Sequence, residues 1–271
     1  AARIISEHDP AKPLFLYVPF NAPHTPLQAP QKYIDSYAKI PNQKRRTFAA
    51  MVTCMDDAVG RITAALAKHN FKANNTLIVF CSDNGGIRTL GSNGRLRAGK
   101  GTLYEGGLRV PAIAVWKDRL KAGSIVDQPL HVVDLYPTLL RLAKAKTAQA
   151  QPLDGKDAWP TIAEGKPTPH QFILHNSTPF HGAIRMGDWK LIRNGHVSAN
   201  ATRNSKTETW ELFDIRQDPF EKNDQSRERP KVLLRLKTKL AELAGKAVKP
   251  NILTNRPPDG FRSPKVWGNA E

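Results

Sequence analysis

The chain has 271 residues, 40% of them hydrophobic, and its 41 lysines and arginines outnumber 24 acids to give a net charge of +17. That length suits one large domain, or one domain with a small appendage, and no run nears the ~18 consecutive apolar residues of a membrane span. The basic balance favours anionic partners, but the charge is scattered and no nucleic-acid motif is present, so no nucleic-acid partner is expected; a solvated basic surface and an acidic polysaccharide or other sulfated substrate fit equally well.

The opening Ala1–Glu7 lacks the apolar core of a signal peptide and reads as the middle of a longer chain. Leu14–Val18 is an apolar run that predicts a buried strand, and it ends in the Pro-punctuated loop Pro19–Pro26, which carries His24. A short helix is expected over Pro30–Tyr37. A longer one follows Pro41, because Phe48, Met51, Val52, Met55, Val59, Ile62 and Leu66 recur at helical spacing. Asp56 and Asp57 lie inside it. Adjacent helical residues diverge by about 100°, so the two acids read as polar helix positions rather than a metal pair. Cys54 and Cys81 read as small core hydrophobes, with neither zinc spacing nor support for a disulfide.

Leu77–Cys81 is an unbroken apolar run with a β-branched middle, the pattern of a strand buried on both faces. With the preceding helix it predicts a right-handed strand–helix–strand unit in a parallel sheet. It stops at Ser82-Asp83-Asn84-Gly85-Gly86, which delivers an acid and an amide to a strand's carboxyl end, where α/β sheets bind ligands. Both side chains offer hard oxygens, which suit Ca²⁺ or Mg²⁺. The following loop is dense in glycine and carries Arg88, Arg95, Arg97, Lys100 and Arg109. Glycine lets backbone approach a ligand closely, and the cations call for an anion, a tetrahedral oxyanion above all. On parallel neighbouring strands, His24 and Asp83 would open onto one sheet edge.

Val110–Trp116 reads as a third core strand and Val133–Lys144 as a helix, with His131 before it in a structural role. Thr147–Pro152 is a plausible linker. Beyond it come short strand candidates at Gln171–His175, Gly182–Met186, Trp189–Ile192 and Thr209–Phe213, with Gly187-Asp188 as a hairpin turn. An amphipathic helix follows Pro230, and Pro250–Glu271 is an irregular tail. The expected division is therefore residues 1–147, part of a large α/β domain, and 148–271, a small antiparallel sheet with a packed helix.

Six segments in this order resemble the sulfatase family: His24-Thr25-Pro26-Leu27-Gln28-Ala29-Pro30, Met55-Asp56-Asp57-Ala58-Val59-Gly60, Ser82-Asp83-Asn84-Gly85-Gly86, Gly99-Lys100-Gly101-Thr102-Leu103-Tyr104-Glu105-Gly106-Gly107, Pro152-Leu153-Asp154-Gly155 and Ala183-Ile184-Arg185-Met186-Gly187-Asp188-Trp189-Lys190-Leu191. The likeness spans residues 12–245 and is greatest to the N-acetylgalactosamine-4-sulfatase (arylsulfatase B) type. It implies an alkaline-phosphatase-like α/β fold, with an incomplete, mostly parallel sheet flanked by helices. It implies Asp83 and Asn84 as ligands of an active-site Ca²⁺ (Mg²⁺ less so), Lys100 on the sulfate and leaving oxygen, and His24 on the sulfate and leaving group. His175, His181 and Arg185 are candidates for the substrate end.

The nucleophile that the resemblance implies is a formylglycine made from Cys or Ser in a Cys/Ser-x-Pro/Ala-x-Arg motif. Neither Cys54 nor Cys81 stands in one. The chain thus resembles the C-terminal portion of a sulfatase, whose partners would be the missing N-terminal part of the same domain and a sulfated sugar or small molecule. Export to the periplasm or medium is implied by the family alone. Two other functions fit the residues: a phosphodiesterase or phosphonate hydrolase of the same superfamily, and a non-catalytic protein that binds sulfated polysaccharide.

Overall fold

A computed structural model describes residues 1–145, 151–178, 181–195, 208–247 and Gly260. The expected linker at 147–152 falls mainly outside these residues, as does nearly all of the expected tail.

The first region is built on one long helix. α1 (Ala2–Glu7) and α2 (Gln31–Asp35) both pack against α3 (Gln43–Lys68). Asn42 caps α3 by accepting the Arg45 amide at 2.9 Å, which satisfies one of the free N–H groups of a helix start. Ile5 of α1 is wholly buried, and the Tyr33 hydroxyl of α2 donates to Asp57 at 2.7 Å. Asp57 is thus an exposed polar position of the helix, as its spacing predicts, and it accepts a bond from α2.

β1 (Ile78–Cys81) leads into the Gly-rich loop, which holds the short helix α4 (Glu105–Leu108), and β2 (Ala112–Val115) returns. Here the structure departs from the expected parallel sheet. β1 and β2 form a two-stranded antiparallel pair, with Ile78 opposite Val115 and Cys81 opposite Ala112. A long excursion returning beside the strand it left makes an antiparallel pair, with no crossover helix between. The ribbon is also not buried on both faces. Val79, Ile113 and Val115 are 40%, 59% and 54% exposed, and Cys81 is exposed and unpaired. Leu14–Val18 forms no ladder among the described residues, and Phe15 and Tyr17 point outward. An apolar run supplies the faces of a strand, but only a partner's N–H and C=O groups make it one.

A 3₁₀ turn at Val132–Asp134 opens α5 (Leu135–Leu142), and α6 (Trp159–Glu164) follows. Asp134 is a buried hub. It accepts the His131 and Lys156 amides at 2.8 and 2.9 Å, and His170 Nε2 lies 2.8 Å from both of its oxygens. His131 Nδ1 accepts the Val133 amide, the structural part its position suggests.

The second region is a four-stranded antiparallel meander of β3 (Ile173–Thr178), β4 (His181–Met186), β5 (Trp189–Arg193) and β6 (Trp210–Asp214). Gly187, at φ +60°, takes the first position of the two-residue β4–β5 turn, where a side chain would be strained. α7 (Pro230–Gly245) covers one face, packing Leu236 and Leu240 on Ile184, Leu191 and Leu212. The other face carries Ala183, Ile192 and Phe213, and Leu103 of the Gly-rich loop packs into it. Each such buried aliphatic side chain contributes roughly 1.5–3 kcal/mol. The sheet is therefore covered twice, by its own helix and by the loop of the first region.

Candidate active site

β1 ends at the Ser82–Gly86 turn, and the Gly-rich loop folds back over it. The Ser82 amide donates to Pro111 at 3.2 Å, the Gly85 amide to Gly107 at 3.0 Å, and the Lys100 amide to Gly86 at 3.2 Å. The approach is so close that a Cβ on Gly85 would lie 1.8 Å from the Gly106 carbonyl oxygen. Only glycine fits there. Asn93 clamps the fold: its Oδ1 accepts the Gly86 amide at 2.8 Å, and its Nδ2 donates to Gly86 and Ala98 carbonyls at 3.0 Å each.

Asp83, Asn84 and Lys100 therefore stand on adjoining backbone, although they are separated by the whole loop in sequence. Asp83 and Lys100 are exposed and make no ion pair with each other, while Asn84 donates to Gly85 at 3.2 Å. His24 is not brought into hydrogen-bond contact with these three. It sits on its own exposed loop, with Nδ1 2.9 Å from the Thr25 carbonyl oxygen. Among the described residues no group of three or more His, Cys, Asp or Glu could hold a metal ion. Asp83 and Asn84 have the hard-oxygen chemistry that Ca²⁺ takes, but they supply two of the roughly six to eight oxygens it needs.

His175, His181 and Arg185 all project from the sheet face that meets the Gly-rich loop, because His175 pairs with Ala183 and Arg185 with Lys190. His175 stacks on His131 at 5.5 Å. Burial, helped by the nearby Lys190 charge, pushes its imidazole down to about 3, so it is neutral at ordinary pH. His181 Nδ1 lies 3.3 Å from Thr178 Oγ1, and Arg185 Nε donates to Gly187 at 3.1 Å.

The strongest feature of this face escaped sequence reasoning. Lys190 Nζ is buried between Glu105 Oε1 at 2.7 Å and Glu221 Oε1 at 2.8 Å, and Glu221 Oε2 accepts the Glu105 amide at 2.7 Å. Burial pushes the Glu221 carboxyl up, against the pull of Lys190. Beside this cluster Arg97 pairs with Glu211 at 2.9 Å and stacks on Tyr104, whose hydroxyl donates to Glu211 in a short bond. Burial, then that bond, raises the Tyr104 pKa. These contacts bolt the loop carrying Lys100 to the second sheet. Glu105 and Lys190 both stand in the recognised segments, but no sequence signal pairs residues 85 positions apart.

Residues 1–145 match the family model described as Sulfatase, and residues 98–246 match one described as N-sulphoglucosamine sulphohydrolase, C-terminal. The chain belongs to the sulfatase family. Mouse arylsulfatase J is 35% identical across 98% of this chain and 51% of its own length. Rat N-acetylgalactosamine-6-sulfatase is 34% identical across 69% of this chain and 35% of its own. Among solved structures, Ps i-CgsB superposes with a TM-score of 0.71 at 37% identity, covering 83% of this chain and 48% of that one. A sulfatase from Bacteroides thetaiotaomicron glycosaminoglycan metabolism reaches 0.72 at 22% identity over 90% and 52%, which shows the fold alone. The sulfatase member's chain here spans about half the length of these relatives, or less. The alkaline-phosphatase-like sulfatase fold follows from these likenesses, whereas the described strands themselves are all antiparallel.

Proposed function

We propose that this chain supplies the calcium and sulfate half-site of a sulfatase that hydrolyses a sulfate ester on a sugar, of the N-acetylgalactosamine-4-sulfatase type. The observation that carries the reading is the Lys100 amide bound to Gly86, which ties the lysine's backbone to the turn holding Asp83 and Asn84. Asp83 and Asn84 would ligate Ca²⁺, and a bound cation supplies positive charge for the sulfuryl oxygens. Lys100 holds the sulfate and neutralises charge growing on the leaving oxygen. His24 hydrogen-bonds the sulfate and protonates the leaving group, which its exposed loop must be positioned to do. His175, neutral through burial, and His181 and Arg185 shape the sugar end. The nucleophile, a formylglycine, lies outside these 271 residues, and the natural protein is exported.

One observation favours a second reading. The chain carries a net charge of +17, as a non-catalytic protein binding sulfated polysaccharide through a basic surface would. Kinetics decide between the two. In the natural protein carrying this chain, Lys100→Ala is expected to lower kcat/KM for sulfate release from N-acetylgalactosamine 4-sulfate by about 10²-fold or more. Unchanged release, or no release from the parent protein, with salt-sensitive polyanion binding intact, favours the binding protein.

A further inference from the structure

A cavity of about 640 Å³ lies between the 94–98 stretch of the Gly-rich loop and the β6–Lys222 segment, and neither half of the proposed reaction uses it. Its acids already have donors. Glu211 takes Arg97 and Tyr104, Glu221 takes Lys190 and the Glu105 amide, and Asp224 accepts the Leu212 and Ser226 amides at 2.9 Å. Its other cations, Arg88, Arg95 and Lys222, have no carboxylate within ion-pair distance among the described residues.

Two of these cations are organised by one ring. The Arg95 guanidinium lies 4.1 Å from the centre of Phe220, and Lys222 Nζ lies 6.0 Å from it. Stacking orients the planar guanidinium and leaves its edge N–H groups free to bond a planar or tetrahedral anion. Arg88 also lines the cavity. A Cβ on Gly99 would sit 3.3 Å from Arg88 Cγ, so the stem of Arg88 lies against the residue preceding Lys100. The cavity therefore abuts the backbone of the proposed sulfate site.

We infer that this cavity binds a second anionic group of the same saccharide chain, a sulfate ester or carboxylate on a neighbouring sugar ring. Arg88, Arg95 and Lys222 grip the anion, and Phe220 holds Arg95 in place. The inference rests on the sulfate-ester reading for what occupies Lys100, and it makes the substrate an oligosaccharide or polymer rather than a single sugar. The scattered +17 charge alone would attract any polyanion. Three cations around one cavity, without a carboxylate partner among the described residues, instead set a local preference.

The test is equilibrium titration of a κ-carrageenan hexasaccharide, a chondroitin 4-sulfate hexasaccharide and N-acetylgalactosamine 4-sulfate into the full chain. The variants are Arg88→Gln/Arg95→Gln/Lys222→Gln, which removes the free charges, Phe220→Leu, which keeps an apolar filler, and a control, Lys117→Gln/Arg119→Gln/Lys121→Gln, which removes three cations elsewhere. At least one hexasaccharide is expected to lose about tenfold or more in affinity with the cavity triple variant, and less with Phe220→Leu, while the monosaccharide and the control stay within about twofold of wild type. No hexasaccharide binding by the parent chain, an unchanged triple variant, or an equal loss in the control overturns the inference. Failure of the sulfate-ester reading looks different: Lys100→Ala would then leave monosaccharide binding intact, whatever the cavity variants do.

Discussion

Two β-structures in this chain have similar apolar strands and opposite surroundings. The β3–β6 sheet buries Ala183, Ile184, Leu191, Ile192, Leu212 and Phe213 to 0% exposure, with α7 on one face and the Gly-rich loop on the other. The β1–β2 ribbon leaves Ile113 and Val115 more than half exposed. The candidate site stands at the junction, on the turn leaving the open ribbon, under a loop anchored to the covered sheet. The loop carrying Lys100 is therefore tied to the second region through Lys190, Arg97 and Leu103.

The sharpest way to break this contrast is Lys190→Ala. Removing the one cation leaves Glu105 and Glu221 buried and uncompensated, so a loss of about 3–5 kcal/mol is expected in urea unfolding. Adding Glu221→Gln to that variant should restore part of it, because one buried charge goes. Truncating the two sheets comes next. Ile192→Ala should cost about 2–5 kcal/mol, whereas Ile113→Ala on the ribbon should stay within about 0.5 kcal/mol, as exposed positions do. Equal losses at the two sites would erase the distinction. Asn93→Ala should cost about 1–3 kcal/mol through the unpaired Gly86 and Ala98 groups it leaves, and should speed amide exchange at Gly86 more than at Leu191.

The last effect is one of pH. His175 is held neutral in the fold but protonates near 6.5 when unfolded. The unfolded state therefore binds the extra proton, and stability falls as pH drops below 6.5, the loss growing until about 3. Replacing His175 by Gln should remove about 1.4 kcal/mol of the stability difference between pH 7.5 and pH 5.5. Parallel pH profiles for the two proteins would mean that His175 is solvated.

Much of the second region could be read in the sequence. The β4–β5 hairpin follows from Gly187-Asp188 between apolar runs, and α7 from the spacing of Leu236 and Leu240. α3 was equally legible, because one periodic apolar stripe is a local signal, whereas its Asn42 cap was not read. The direction of β1 and β2 was not. Leu77–Cys81 states that it is a strand but not which neighbour it takes, and Leu14–Val18 carries the same pattern without a ladder. At the site, Asp83-Asn84 and Lys100 were visible as types in a Gly-rich setting, and the close approach of Gly85 to Gly106 explains the glycines. The Lys190 cluster was invisible, because a buried ion pair leaves no periodicity and its members lie 31 and 85 residues apart.

Binding of a sulfated monosaccharide tests the central claim most directly. N-acetylgalactosamine 4-sulfate would be titrated into wild type, Lys100→Ala and Asp83→Ala, with Ca²⁺ and with a chelator. The account predicts that Ca²⁺ tightens binding in wild type but not in Asp83→Ala, and that Lys100→Ala weakens binding about tenfold or more in both conditions. Equal affinities in all three proteins, indifferent to Ca²⁺, would mean that the turn after β1 and Lys100 do not form a sulfate site.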